Sequence, residues 1–185
     1  MVDTYFTGAG FSPPDAARIA GFFKRRTLEK GNFFVQEGRV SLELGFVEKG
    51  QLQYYSLAAN GEEKTTYIAL THSFVASLLS YLNEVPAREN IRALSDTVLW
   101  VIEKSDVEHL KEKIQAFKGF YISLLEWQIC CIDKGKFDLI TLTAEQRYEK
   151  LVAEEPEILR AVPLQYIASM LGMTPRHLTR LRAKK

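Results

Sequence analysis

Near one end of the chain, Arg176, Thr179 and Arg180 are spaced so that a helix carries all three, with Ala183, on one side. At about 100° per residue, Leu178 and Leu181 fall on the opposite side. A guanidinium forks two N–H donors toward guanine O6 and N7 or toward phosphate oxygens, and a threonine hydroxyl adds a short-reach contact. Such a face suits the major groove of a duplex. His177 and Arg182 flank it, and Arg182, Lys184 and Lys185 are placed to meet phosphates.

The elements that must hold this helix can be read from the residues before it. In "LQYIASMLGMTPRHLTRLRA", Ala168 is the small residue that two helices crossing near a right angle require, Gly172 supplies the turn, and Leu178 reaches back from the second helix to the first. Ile167, Leu171, Met173 and Leu181 fill the remaining apolar positions. Thr174 is a good N-cap and Pro175 a good first residue for the second helix. With Gln165 on the first helix they complete the expected contact set. The spacing predicts a helix-turn-helix that binds double-stranded DNA. The competing reading is an ordinary helical hairpin with a solvated basic face. Charge favours the first: from Ile158 to Lys185 there are six basic residues and no acidic one, while the remainder holds 18 basic and 23 acidic residues.

Other chemistries find little support. The sequence shows no paired carboxylates, no nucleophile–base signature and no metal-ligand spacing, so an enzyme is not expected. His72 and His109 stand alone, and Cys130 and Cys131 are adjacent, too few for an iron–sulfur cluster. With 185 residues, 46% of them hydrophobic, the chain can bury a core. No apolar run approaches the roughly 20 residues that span a bilayer, and "MVDTYFTGAG" is not a signal peptide, so a cytoplasmic protein with reduced thiols is expected.

Ahead of the reader lies a different pattern. Ser12 caps a short helix with Ala16, Ile19 and Phe23 at helical spacing. From residue 27 onward, short aromatic and branched runs separated by Gly31, Gly38, Gly50 and Asn60-Gly61 predict an antiparallel β-roll ending near residue 104. A capping box at Ser105 and Glu108 then predicts a helix to about Lys134, some 45 Å long. Ile114, Phe117, Tyr121, Leu124, Gln128 and Cys131 form one seam along it. Its first half can pack on the roll; its second half needs a partner helix, and a coiled-coil homodimer is expected. The fold class is therefore α+β: a roll over 1–104, a dimer helix over 105–135 and an α-helical DNA-binding unit over 136–185.

This order of parts resembles the cyclic-AMP receptor protein and fumarate–nitrate regulator (Crp/Fnr) superfamily. "LEKGNFFVQEG" looks like its opening roll motif, "FVEKGQLQYY" like its central strand pair and "NGEEKTTYIA" like the following turn and strand. The resemblance implies a cytoplasmic transcription regulator of the short form, with little room for a wing, RNA polymerase as a further partner and a small-molecule effector. Where nucleotide-binding members carry Gly-Glu and Arg-Ser, a gapless alignment from Phe74 places Ala76-Ser77 and Ala87-Arg88, with Glu89 next, and these six residues are the degenerate effector pocket that the resemblance implies. The ribose carboxylate is missing and the arginine falls one place late, so cyclic nucleotide is not expected and no other cofactor is called for. The alternative function is a ligand-sensing or protein-interaction module that no longer reads DNA.

Overall fold

The computed structural model describes residues 2–183, so Lys184 and Lys185 lie outside the described residues. Two helices, α1 (Val2–Gly8) and α2 (Pro13–Ala20), precede the first strand. The Ser12 hydroxyl accepts the Asp15 N–H at 3.3 Å, and Pro13 occupies the first turn of α2, where no N–H is required. Helix α1 was not expected from the sequence; Val2 and Phe6, four residues apart, bury it against the roll.

The roll consists of β1 (Lys24–Leu28), β2 (Phe33–Val35), β3 (Glu43–Lys49), β4 (Leu52–Leu57), β5 (Glu63–Ala69), β6 (Phe74–Val75), β7 (Asn90–Ala93) and β8 (Thr97–Glu103), with helix α3 (Leu78–Asn83) between β6 and β7. Two sheets form, ordered β1-β8-β3-β6 and β2-β7-β4-β5, and every strand pair is antiparallel. Val35, Val47, Leu52, Ile91 and Leu99 belong to the core shared by the two sheets. The β4–β5 hairpin turns at Asn60-Gly61, where Gly61 takes φ +79° and the Asn60 side chain accepts the Glu62 N–H.

Chain continues through α4 (Lys104–Lys113), α5 (Gln115–Thr141), α6 (Ala144–Glu154), α7 (Pro156–Ala161), α8 (Leu164–Met170) and α9 (Pro175–Ala183). The expected single helix from Ser105 is corrected in two ways. The N-cap of helix α4 lies two residues earlier than Ser105, at Glu103, with no side-chain cap bond, because β8 runs directly into the helix and the Lys104 N–H is taken by the Leu42 carbonyl. The helix also breaks at Ile114, whose extended backbone (φ −130°, ψ 99°) sends its side chain into the core; α5 then runs seven residues past Lys134, to Thr141.

The outer face of the first sheet is closed by aromatic packing. Phe6 lies 5.4 Å from Phe120 and 6.2 Å from Phe117, ring centre to ring centre, and Tyr5 packs on Phe46 and Phe74. Against the second sheet, Ile68 and Leu94 share a buried cluster with Tyr148, Leu151, Ile158, Ile167 and Leu178. The C-terminal helices therefore rest on the roll. The Ser169 hydroxyl of α8 accepts the Thr65 N–H of edge strand β5 at 3.0 Å and donates to the Glu63 carbonyl at 3.3 Å, giving that edge a side-chain partner in place of another strand.

Candidate DNA interface and effector cassette

Helices α8 and α9 are joined by Leu171–Thr174. Gly172 adopts φ +70°, a conformation that a side chain disfavours, and the Met173 N–H bonds the Ala168 carbonyl across the turn at 2.9 Å. Ala168 and Leu178 are both 0% exposed, so the reach-back contact is complete. The Thr174 hydroxyl accepts the His177 N–H at 3.2 Å, and Pro175 opens α9.

With that side buried, Arg176, Thr179, Arg180 and Arg182 face solvent, as do Gln165, Thr174 and Pro175. The Thr179 hydroxyl donates back to the Pro175 carbonyl at 2.9 Å. His177 differs: it is half-buried, and its Nε2 lies 2.9 Å from a Glu145 carboxylate oxygen, tying α9 to α6. The exposed set is cationic, borne on a braced helix, and free of acidic neighbours within that helix.

The loop around α3 is organised differently. Phe74 leaves the expected cassette altogether and packs with Tyr5, Phe46 and Phe120 on the far side of its sheet. The Ala76 N–H donates to the buried Tyr54 hydroxyl at 3.1 Å. Ser77 stands at the N-cap of α3 without a side-chain cap bond, and its hydroxyl donates to Glu89 at 3.0 Å. Ala87 is buried in backbone bonds with Gly38 and Arg39. The Arg88 carbonyl accepts the Ser56 hydroxyl while its side chain is exposed. Burial pushes the Glu89 carboxyl above its ordinary range, against the Ser77 hydrogen bond, and burial also raises the Tyr54 phenol. The Ala76 N–H and Tyr54 hydroxyl face one another, as do the Ser77 hydroxyl and Glu89 carboxyl, while the Arg88 side chain turns to solvent.

Along α5 the expected seam faces inward. Ile114, Phe117 and Tyr121 are buried in the chain's own aromatic core, Leu124 and Gln128 are half-buried, and Cys131 is exposed. A partner could reach the first three only by displacing that core. A second series was overlooked: Ile122, Leu125, Ile129, Ile132 and Leu139, at spacings of three and four with Lys136 in register. Ile129 is 62% and Ile132 52% exposed. The signal was a heptad starting at Ile122, masked by the more conspicuous aromatic series.

Among the described residues no cluster of potential metal ligands occurs, and no helix is long and apolar enough to cross a membrane. Residues 25–113 match the cyclic nucleotide-binding domain family. No curated protein matches the chain in sequence. Among solved structures, FixK2 from Bradyrhizobium japonicum is similar at 15% identity over 88% of this chain and 83% of that one, with a TM-score of 0.76. The Thermus thermophilus catabolite activator protein is 18% identical over 95% and 84%, with a TM-score of 0.61. The c-di-GMP responsive global regulator CLP of Xanthomonas campestris is 15% identical over 94% and 91%, with a TM-score of 0.71. The chain has the fold of the Crp/Fnr regulators.

Proposed function

We propose that this chain, a cyclic nucleotide-binding-type domain set within the Crp/Fnr fold, is a cytoplasmic, dimeric transcription regulator that binds a specific DNA sequence. The observation that carries this reading is the solvent-facing set Arg176, Thr179, Arg180 and Arg182 on a helix braced through Leu178. Gln165, Thr174, Pro175 and His177 border that face, and Lys184 and Lys185, which follow in sequence, supply further positive charge for phosphates. Dimerisation runs through Ile122, Ile129, Ile132 and Leu139, exposed along α5, with Leu125 between them bridging to the chain's own core. The cassette of Ala76, Ser77, Ala87, Arg88 and Glu89 does not take a cyclic nucleotide. The Ala76 N–H and the Ser77 hydroxyl are engaged internally, Ala87 stands where the cation is expected, and the half-buried Glu89 lies two residues on. RNA polymerase and an effector of another class are the remaining expected partners.

Selection of bound duplexes from a random pool tests the reading. A single motif with two related half-sites should emerge, bound with a strong inverse dependence on salt. Arg176→Ala and Arg180→Ala should each weaken that site by about 1–3 kcal/mol while leaving the melting temperature unchanged. Enrichment of no motif, or wild-type affinity in both variants, overturns it.

A further inference from the structure

We propose that Arg147 is a positioning residue that fixes the recognition helix to the end of α5. The inference rests on the DNA-binding reading and concerns how the reader is aimed. Arg147 lies on α6, yet its guanidinium bonds to the ends of two other helices. One terminal nitrogen donates to the Leu142 carbonyl at 2.6 Å and the Leu139 carbonyl at 3.4 Å; the other donates to the Leu171 carbonyl at 2.8 Å. Leu139 lies in the last turn of α5 and Leu142 is its C-cap, while Leu171 is the C-cap of α8.

The last carbonyls of a helix lack partners within it and carry its partial negative charge, so a cation between two such ends is attracted to both. A planar fork can satisfy two separate ends at a fixed separation, which an ammonium cannot. Among the described residues no carboxylate pairs with Arg147, and its buried Nε has no partner. The group thus sits where the helix ends demand, at the expense of one of its own donors. The turn accommodates it: a Cβ on Gly172 would lie 3.3 Å from the guanidinium nitrogen bound to Leu171. From Leu171 the chain passes directly through Gly172 into α9, so two hydrogen bonds separate the end of α5 from the reader.

Other ties hold α6 in place without setting this angle. Lys134–Glu154 and Lys150–Asp138 join α6 to α5, and Glu145–His177 joins α6 to α9. Only Arg147, among these polar ties of the described residues, spans α5, α6 and the helix-turn-helix turn together. In a two-fold dimer about α5, that angle sets the spacing of the two recognition helices and hence the half-site separation the protein accepts.

The test uses full-length protein with Cys131→Ser and Ala183→Cys, spin-labelled at Cys130 and position 183 and diluted with unlabelled chain so that distances within one chain are read. The parent should give one narrow α5–α9 distance. Arg147→Gln, and Arg147→Lys, which keeps the charge but loses the fork, should broaden it while leaving helix content and sedimentation unchanged. On the selected DNA, the variants should lose about tenfold in affinity for the preferred half-site spacing and stop distinguishing it from spacings one or two base pairs longer. Their salt dependence should match wild type, because the phosphate contacts are intact. If Arg147→Gln fails to fold, Arg147→Lys decides. A narrow distance and unchanged spacing preference in a folded variant overturn the proposal. If the parent selects no DNA, the functional reading fails, and the distance distribution still judges Arg147.

Discussion

The recognition helix and the cassette around α3 are opposites in how they use polar side chains. On α9 the apolar residues are spent inward on Leu178 and its neighbours, and the arginine side chains face solvent. Around α3, Ser77 bonds Glu89, Tyr54 bonds the Ala76 N–H, and Ala87 is locked in backbone bonds. A group already satisfied internally offers a ligand little, since binding must first break what is there. The contrast teaches that within one chain polar side chains can be turned toward each other in one region and left to solvent in another where the bracing is apolar.

The contrast is broken most severely by separating the reader from its twin. Ile129→Glu places a charge in the exposed aliphatic series of α5 and away from the aromatic core. Sedimentation should show monomers, and affinity for the two-half-site DNA should fall at least roughly a hundredfold, because each half-site alone forfeits the linkage between them. Intact dimers would return the interface to some other surface.

Loosening the reader's brace should have the next largest effect. Leu178 is fully buried, so Leu178→Ala should cost about 2–5 kcal/mol of stability and release α9 from α8. Denaturant unfolding followed by near-terminal amide exchange would place that loss in the C-terminal helices. A variant as stable as wild type there would show that the bracing lies elsewhere.

What the sequence revealed, and what it hid, follows the same division. The helix-turn-helix was legible because Ala168, Gly172, Thr174 and Leu178 act within about ten residues, where helical geometry fixes who faces whom. The antiparallel roll was legible from glycine-punctuated strands such as β4 and β5, whose hairpin turns at Asn60-Gly61. The cassette was only partly legible. Phe74 was assigned to the pocket, yet the face a two-residue strand presents depends on α1 and α5 packing against it, far away in sequence. The α5 seam failed similarly: Phe117 and Tyr121 have the right spacing for a partner helix, and only the tertiary contact with α1 shows that their own chain covers them. Arg147 carried no spacing signal, since its partners are backbone carbonyls of any residue type.

The smallest effect sharpens the cassette side of the contrast. Burial raises the Glu89 carboxyl above its unfolded value, so the folded chain holds that proton to higher pH than the unfolded chain does. The group's contribution to stability is therefore full below the ordinary carboxylate range and is lost as pH rises through the folded value. Glu89→Gln keeps an acceptor for the Ser77 hydroxyl and removes the ionisation. The variant should melt at a slightly higher temperature than wild type near pH 7, and the gap should close as pH falls below the ordinary carboxylate range, where both side chains are neutral in the folded and unfolded chain alike. Melting curves that run parallel across this range, or a variant less stable at neutral pH, would mean that the Glu89 carboxylate has a cationic partner or solvent access and that the cassette is more open than its hydrogen bonds indicate.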